Sequence, residues 1–361
     1  MALKNVVVRD RSLYWFIGTG LVIGICALLL AKFGNPVNMG ICAACFIRDT
    51  AGALGLDSAA AVQYLRPEIA GFIAGAFILS LIKREWKGEG GSAPLVRFAI
   101  AFFVMIGALV FLGCPLRLML RLGGGDLNAV VGLAGFVGGI GAGSIFIRKG
   151  FSLGQAKKQP AVNGLVIPLI VVVLLVFIFV KPAFIKSSTE GVGSMRAPIA
   201  LSLITALIIG AFVQKSGLCM SGGIRNVFLI KNPTMFWGYL TIFVVTLIGN
   251  IVLGKFKPGF TGQPIAHTEW LWNFLGMALA GYGSVLLGGC PLRQLIMSGE
   301  GNSDAGICVI AFIVAGATAH NFGIAASPNG VPLNGKVAVI SGLVILFLIS
   351  VLCSSKKTAE A

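Results

Sequence analysis

Gly113-Cys114-Pro115-Leu116-Arg117 is a stretch that the chain contains twice, because residues 289–293 repeat it letter for letter. A second motif, Gly-x-Cys followed by Ile-Arg, precedes each copy, at residues 40–48 and again at residues 217–225. The two motifs recur in the same order and at nearly the same distance, which indicates an internal duplication. We therefore predict two repeats, residues 1–185 and residues 186–361.

The composition places the chain in a membrane. Of its 361 residues, 57% are hydrophobic and 11% are charged, with a mean hydropathy of +0.95. Soluble domains carry about 25% charged residues. The net charge of +16 therefore does not indicate nucleic-acid binding. In so apolar a chain, Lys and Arg set the orientation in the membrane or attract an anionic solute.

Apolar runs of about the length that crosses a bilayer as a helix recur along the whole chain. We predict membrane spans near residues 13–33, 66–83, 96–113, 127–147 and 163–181 in the first repeat, and near residues 196–214, 234–254, 269–288, 303–322 and 336–353 in the second. The four cysteine motifs lie between spans and are too short to cross again, so they predict short re-entrant half-helices. The predicted fold class is an all-α integral membrane protein with about ten transmembrane helices and four half-helices.

The orientation of the repeats follows from the number of spans. Five spans per repeat is an odd number, so the second repeat must be inverted relative to the first, an architecture that many secondary transporters share. The side of the N-terminus, with Lys4, Arg9 and Arg11, holds the larger share of the basic residues. By the positive-inside rule, both termini are predicted to be cytoplasmic.

The Gly-Cys-Pro-Leu-Arg motif has the features of an anion site. Proline is favoured in the first turn of a helix, so Cys114 and Cys290 should lie near helix N-caps. The N-terminus of a helix presents free N–H groups and a partial positive charge. An arginine follows one turn later in each copy. The supporting residues of the two motifs are Gly113, Pro115, Arg117, Gly289, Pro291 and Arg293.

The Gly-x-Cys motifs add comparable groups, Cys42 with Arg48 and Cys219 with Arg225. The spans contain few carboxylates that could neutralise these arginines. No carboxylate pair, histidine cluster or nucleotide-binding motif is present, so neither an enzyme nor a cofactor is predicted. The pattern favours a path for a small anion between thiols, helix ends and arginines.

Other interpretations of the cysteines remain open. Cys42-x-x-Cys45 could be the active pair of a membrane thiol–disulfide oxidoreductase. The counterpart of Cys45 in the second repeat is Gly222, and no second pair exists to complete a metal site. The matched cysteines could also serve packing alone, in a subunit that anchors a partner. Cys26, Cys308 and Cys353 lie outside the motifs and are interpreted as packing residues.

The two paired motifs, in this order, resemble those of the YeeE/YedE family of bacterial membrane transporters, and the layout is most similar to the YedE branch associated with selenium metabolism. The resemblance implies a helical bundle in the bacterial inner membrane that imports a sulfur oxyanion such as thiosulfate, or a selenium-containing analogue. It also implies a path that contains Cys42, Cys114, Cys219 and Cys290, whose thiols pass the solute on by transient hydrogen bonds. A TusA-like cytoplasmic sulfur-carrier protein is the partner that the family implies, and Cys45 matches no family position.

Overall fold

The computed structural model describes the backbone of residues 2–354 and the side chains of residues 12–354, so the side chains of Lys4, Arg9 and Arg11 lie outside the described residues. This part of the chain is almost entirely helical. Its α-helices are α1 (Ala2–Lys32), α2 (Ala43–Ala53), α3 (Pro67–Ile82), α4 (Pro94–Val110), α5 (Pro115–Gly123), α6 (Asn128–Arg148), α7 (Ala161–Val180), α8 (Ile199–Ser216), α9 (Met220–Ile230), α10 (Thr234–Val252), α11 (Trp270–Leu286), α12 (Pro291–Gly299), α13 (Ser303–Asn321) and α14 (Leu333–Ser354). Two short antiparallel strands, β1 (Glu89–Gly90) and β2 (Lys157–Lys158), pair outside the helices.

Ten segments of the described residues are long and apolar enough to cross a membrane. The ten long helices in these segments coincide with the ten spans predicted from hydropathy, within three residues at every end except the start of α1. The largest difference is at α1, which begins at Ala2 rather than near residue 13. The predicted fold class, an all-α multi-pass membrane protein, is confirmed.

Four helices are too short to span a bilayer. Helices α2 and α9 have 11 residues each, and α5 and α12 have 9 residues each. At 1.5 Å per residue they are about 14 to 17 Å long, against roughly 30 Å for the hydrocarbon core. They are the four half-helices that the cysteine motifs predict.

Contacts between the two halves of the chain come in matched pairs. Helix α1 packs on α10, and α3 packs on α8. The end of α5 accepts a backbone hydrogen bond from the loop after α10, where the N–H of Lys257 lies 2.9 Å from the carbonyl of Gly124. The end of α12 does the same with the loop after α3, where the N–H of Lys87 lies 3.1 Å from the carbonyl of Glu300. The inverted orientation of the two halves stays a prediction.

Glycines allow the central helices to pack closely. Gly135 and Gly139 of α6 lie directly against the backbone of Phe274 and Ala278 of α11, with no room for a Cβ atom. Such contacts between small residues are a common basis of helix association in membranes. By contrast, α7 and α14 expose most of their apolar side chains, as helices that face lipid do. The central helices thus enclose the N-termini of the half-helices.

Candidate functional site

Each of the four repeated cysteines is the N-cap of a half-helix. Cys42 precedes α2, Cys114 precedes α5, Cys219 precedes α9 and Cys290 precedes α12. Pro115 and Pro291 occupy the first turns of α5 and α12, so the prediction that these prolines start helices is confirmed. All four thiols are buried. The four caps form two groups, which we call the first cluster and the second cluster.

The first cluster consists of Cys42, Cys45, Cys114 and Arg117. The Cys42 sulfur accepts a hydrogen bond from the backbone N–H of Cys45 at 3.3 Å, and its thiol lies close to that of Cys114. The guanidinium of Arg117 lies 3.7 Å from the Cys45 sulfur. Three thiols, a cation and two helix N-termini therefore share one buried space.

The second cluster consists of Cys219, Ser221 and Cys290. The Cys219 sulfur accepts backbone hydrogen bonds from Gly222 at 3.4 Å and from Cys290 at 3.5 Å. It also lies 3.2 Å from the Ser221 hydroxyl. The Gly222 N–H has the same capping role that Cys45 has in the first cluster. Here the hydroxyl of Ser221, instead of a third thiol, lies beside the cap.

Tyr239 of α10 lies between the two clusters. Its hydroxyl donates a hydrogen bond to the Pro115 carbonyl at 2.8 Å, and the side chain is completely buried. The phenol is close enough to both Cys114 and Cys290 to interact with their sulfurs electrostatically. Tyr239 is not among the site residues predicted from the sequence. A tyrosine in an apolar span needs a hydrogen-bond partner for its hydroxyl, and this requirement could have marked Tyr239 as a candidate.

Two of the four predicted arginines are neutralised by carboxylates. Arg48 binds Asp49 through two nitrogens, at 2.6 and 3.0 Å. Arg293 binds Glu300 in the same two-pronged manner, at 3.0 and 3.2 Å. Both carboxylates lie outside the spans, which themselves contain few. The loops and the half-helix α2 supply the carboxylates that the spans lack.

The other two predicted arginines make no ion pair with a carboxylate among residues 12–354. Arg117 is completely buried and donates to the carbonyls of Asn38 and Leu112 and, at 3.1 Å, to that of Ile265. Arg225 contacts only the Asn226 side chain at 3.4 Å, and its buried Nε has no hydrogen-bond partner. Both guanidinium groups keep an uncompensated charge.

Equivalent positions of the repeat explain this division. Arg48 and Arg225 are counterparts, but Asp49 corresponds to Asn226, which cannot form an ion pair. Arg117 and Arg293 are also counterparts, but Glu300 corresponds to a glycine in the first half. Each half therefore has one arginine paired with a carboxylate and one unpaired arginine. In the first half the arginine of the Gly-x-Cys motif is paired, and in the second half the arginine of the Gly-Cys-Pro-Leu-Arg motif is paired.

Two further buried ion pairs involve residues in or beside the half-helices α2 and α5. Neither pair was predicted from the sequence. Asp49 binds Arg66 at 2.8 Å in addition to Arg48. Arg121 binds Asp126 at 2.7 Å, and its guanidinium lies 4.1 Å from the centre of the Phe111 ring. The Arg121–Asp126 pair is neutral, whereas the single carboxylate of Asp49, shared by Arg48 and Arg66, leaves a net charge of +1.

The combined arrangement suits a small anion with a polarisable atom. Helix N-termini and unpaired arginines favour negative charge. Thiols are weak hydrogen-bond donors with soft sulfur atoms. No group of three or more His, Cys, Asp or Glu side chains suited to a metal ion occurs within the described residues.

One segment of the chain matches a known protein family. Residues 215–355 match the profile of the family described as Sulphur transport. The match covers less than half of the chain. The segment holds α9, α12 and the second cluster. The sulphur-transport segment confirms the family resemblance drawn from the motifs, while the selenium branch stays a prediction.

One curated relative has a stated activity. The chain is 28% identical over 120 residues to the thiosulfate transporter TsuA of Escherichia coli strain K12. The alignment covers 33% of this chain and 34% of that protein. The similarity therefore extends over about a third of the relative's length.

Proposed function

We propose that the protein carries a small sulfur-containing anion, of the thiosulfate type, across a membrane along a path through the first and second clusters. The observation that carries this proposal is the placement of four buried cysteine N-caps in two clusters, with Tyr239 close to a cysteine of each. The sulphur-transport segment and the thiosulfate transporter relative support the same class of solute.

The two clusters would bind the anion in succession. In the first cluster, Arg117 offsets the charge of the anion, and the thiols of Cys42 and Cys114 contact its sulfur. In the second cluster, backbone N–H groups at the starts of α9 and α12 take over these contacts. Arg225 then offers an uncompensated charge near the end of the path. Every step exchanges hydrogen bonds, and no covalent bond forms.

The direction of transport rests on the predicted orientation. With both termini cytoplasmic, the first cluster is reached from the outside of the bacterial inner membrane and the second from the cytoplasm, so the path leads inward. A TusA-like sulfur carrier would then receive the solute, and copurification of such a protein with the transporter tests that partner.

Replacement of Cys290 by serine is expected to reduce uptake of radiolabelled thiosulfate into proteoliposomes to the background. Serine keeps a hydrogen-bonding group but loses the large polarisable sulfur. A lost contact worth about 1.4 kcal/mol already lowers the rate about tenfold. Cys308→Ser is the control, since Cys308 is equally buried and lies outside both clusters. Equal uptake by wild type and Cys290→Ser would contradict the proposed path.

The same assay decides between sulfur and selenium. Unlabelled selenosulfate, in which selenium replaces the terminal sulfur, is added as a competitor of labelled thiosulfate. Strong competition by selenosulfate would identify a selenium-containing anion as a substrate, and weak competition would restrict the path to sulfur compounds.

The oxidoreductase alternative makes a different prediction for Cys42 and Cys45. A transporter of the proposed type keeps both as free thiols, so alkylation after unfolding, followed by mass mapping, should modify both fully with or without prior reduction. A redox-active pair would be alkylated only after reduction. Detection of a Cys42–Cys45 disulfide in the protein as isolated would favour the oxidoreductase.

A further inference from the structure

The segment that joins the two halves, residues 181–198, closes a cavity of about 450 Å³, which we call the linker pocket. It lies where α1 and α7 end and α8 begins. Its polar lining includes Tyr64, Lys181, Lys186 and Arg196, and its apolar lining includes Phe33 and Phe177. The pocket contains none of the cysteines of the two clusters.

Three cations surround the linker pocket without a carboxylate partner. Lys181, Lys186 and Arg196 make no ion pair with any carboxylate among residues 12–354. Asp57 interacts electrostatically with Lys186 but does not line the pocket. The pocket therefore keeps a concentrated positive charge and is complementary to an anion.

Arg196 is held in place before any ligand binds. Its Nη1 donates a hydrogen bond to the Ser187 hydroxyl at 2.6 Å. Its guanidinium lies 4.8 Å from the centre of the Tyr64 ring, and that ring also contacts the guanidinium of Arg66 at 5.1 Å. Since Arg66 is fixed by Asp49, the tyrosine connects Arg196 to the buried ion pairs of α2.

The opposite wall is apolar and continuous with a surface that suits acyl chains. The Phe177 ring packs edge-on against Phe184, with 5.3 Å between the ring centres. Phe179 and Val180, at the end of α7, are among its exposed side chains. Positive charge and apolar surface thus meet at the end of a helix with a lipid-facing surface.

We propose that the linker pocket binds the headgroup of an anionic phospholipid, with the phosphate between Lys181, Lys186 and Arg196 and the acyl chains along α7. Basic pockets between transmembrane helices recognise the headgroups of anionic lipids, and with the predicted orientation this pocket faces the outer leaflet. The volume and the apolar wall fit an amphiphile better than a bare oxyanion, which would leave the exposed Phe33 ring uncovered.

The test compares lipids on the delipidated protein in a neutral detergent. Dioleoyl phosphatidylglycerol should raise the melting temperature and stay bound in native mass spectra, whereas dioleoyl phosphatidylcholine should do neither. The double variant Lys181→Gln/Lys186→Gln should bind phosphatidylglycerol about tenfold or more weakly, because each basic residue near an anionic lipid contributes roughly a factor of five.

The matched control is Lys255→Gln/Lys257→Gln, which removes the same charge from the loop between α10 and α11 and should bind phosphatidylglycerol like the wild type. Equal effects of both lipids, or unchanged binding by the Lys181→Gln/Lys186→Gln variant, would overturn the proposal. Inorganic phosphate and thiosulfate are tested in parallel. An equal rise in melting temperature with either free anion, at the same concentration, would show a general anion site and would also overturn the proposal.

Discussion

Replacing Arg117 by glutamine is expected to reduce thiosulfate uptake by about 100-fold, the effect of losing about 2.7 kcal/mol of stabilisation of the bound anion. Two unit charges 4 Å apart interact by about 4 kcal/mol at the effective dielectric constant of roughly 20 that suits protein sites. Arg117 is completely buried and has no carboxylate partner, so little else offsets its charge or that of an anion in the first cluster.

The control for this prediction comes from the other half of the chain. Arg293 occupies the equivalent position, but Glu300 neutralises it, so Arg293→Gln should change uptake far less. Because Arg117 also donates to three backbone carbonyls, the melting temperature of each variant is measured as well. Arg117→Lys keeps the charge without those contacts and should recover part of the uptake. Folded Arg117→Gln protein as active as Arg293→Gln would refute a role for this charge in transport.

Replacing Asp49 by asparagine is expected to lower the free energy of unfolding by about 3 to 5 kcal/mol, the usual cost of removing one partner of a buried ion pair. Asp49 is completely buried and binds both Arg48 and Arg66. Its loss leaves two guanidinium groups in the interior with only neutral partners. The second half of the chain tolerates Asn226 at the equivalent position because Arg225 is only partly buried.

Unfolding in detergent, followed by intrinsic fluorescence as denaturant is added, measures this effect. The control is Glu85→Gln, which breaks an exposed contact with Lys83 at 3.8 Å and should leave stability nearly unchanged. Equal stability of Asp49→Asn and Glu85→Gln would show that the buried arginines do not depend on Asp49.

The sequence predicted the helices well because the signals for membrane helices are local. A run of apolar residues defines a span without reference to any other part of the chain. Pro115 and Pro291 mark the starts of half-helices for the same reason, since proline fits the first turn wherever that turn lies. The N-caps Cys114 and Cys290 followed from their position beside these prolines, whereas Cys42 and Cys219 have no proline beside them.

Which arginines are paired with a carboxylate could not be predicted in the same way, because that pairing depends on which side chains meet in space. Glu300 lies seven residues after Arg293 and reaches it only because α12 ends there. Arg117 contacts the carbonyl of Ile265, 148 residues away. Tyr239 is separated from Pro115 by 124 residues. Such contacts follow from packing between the halves, and a sequence without aligned relatives gives no signal for them.

The position of Tyr239 has a consequence for the speed of the proposed transport cycle. A barrier made by one phenol and one hydrogen bond to Pro115 opens when a single side chain turns aside. Such a turn changes one buried rotamer, whereas opening by domain movement would repack whole helices and takes microseconds to milliseconds. The two halves could therefore stay rigidly packed through their glycine contacts during every turnover. We expect a molecule whose frame is stationary and whose only moving part is an aromatic ring.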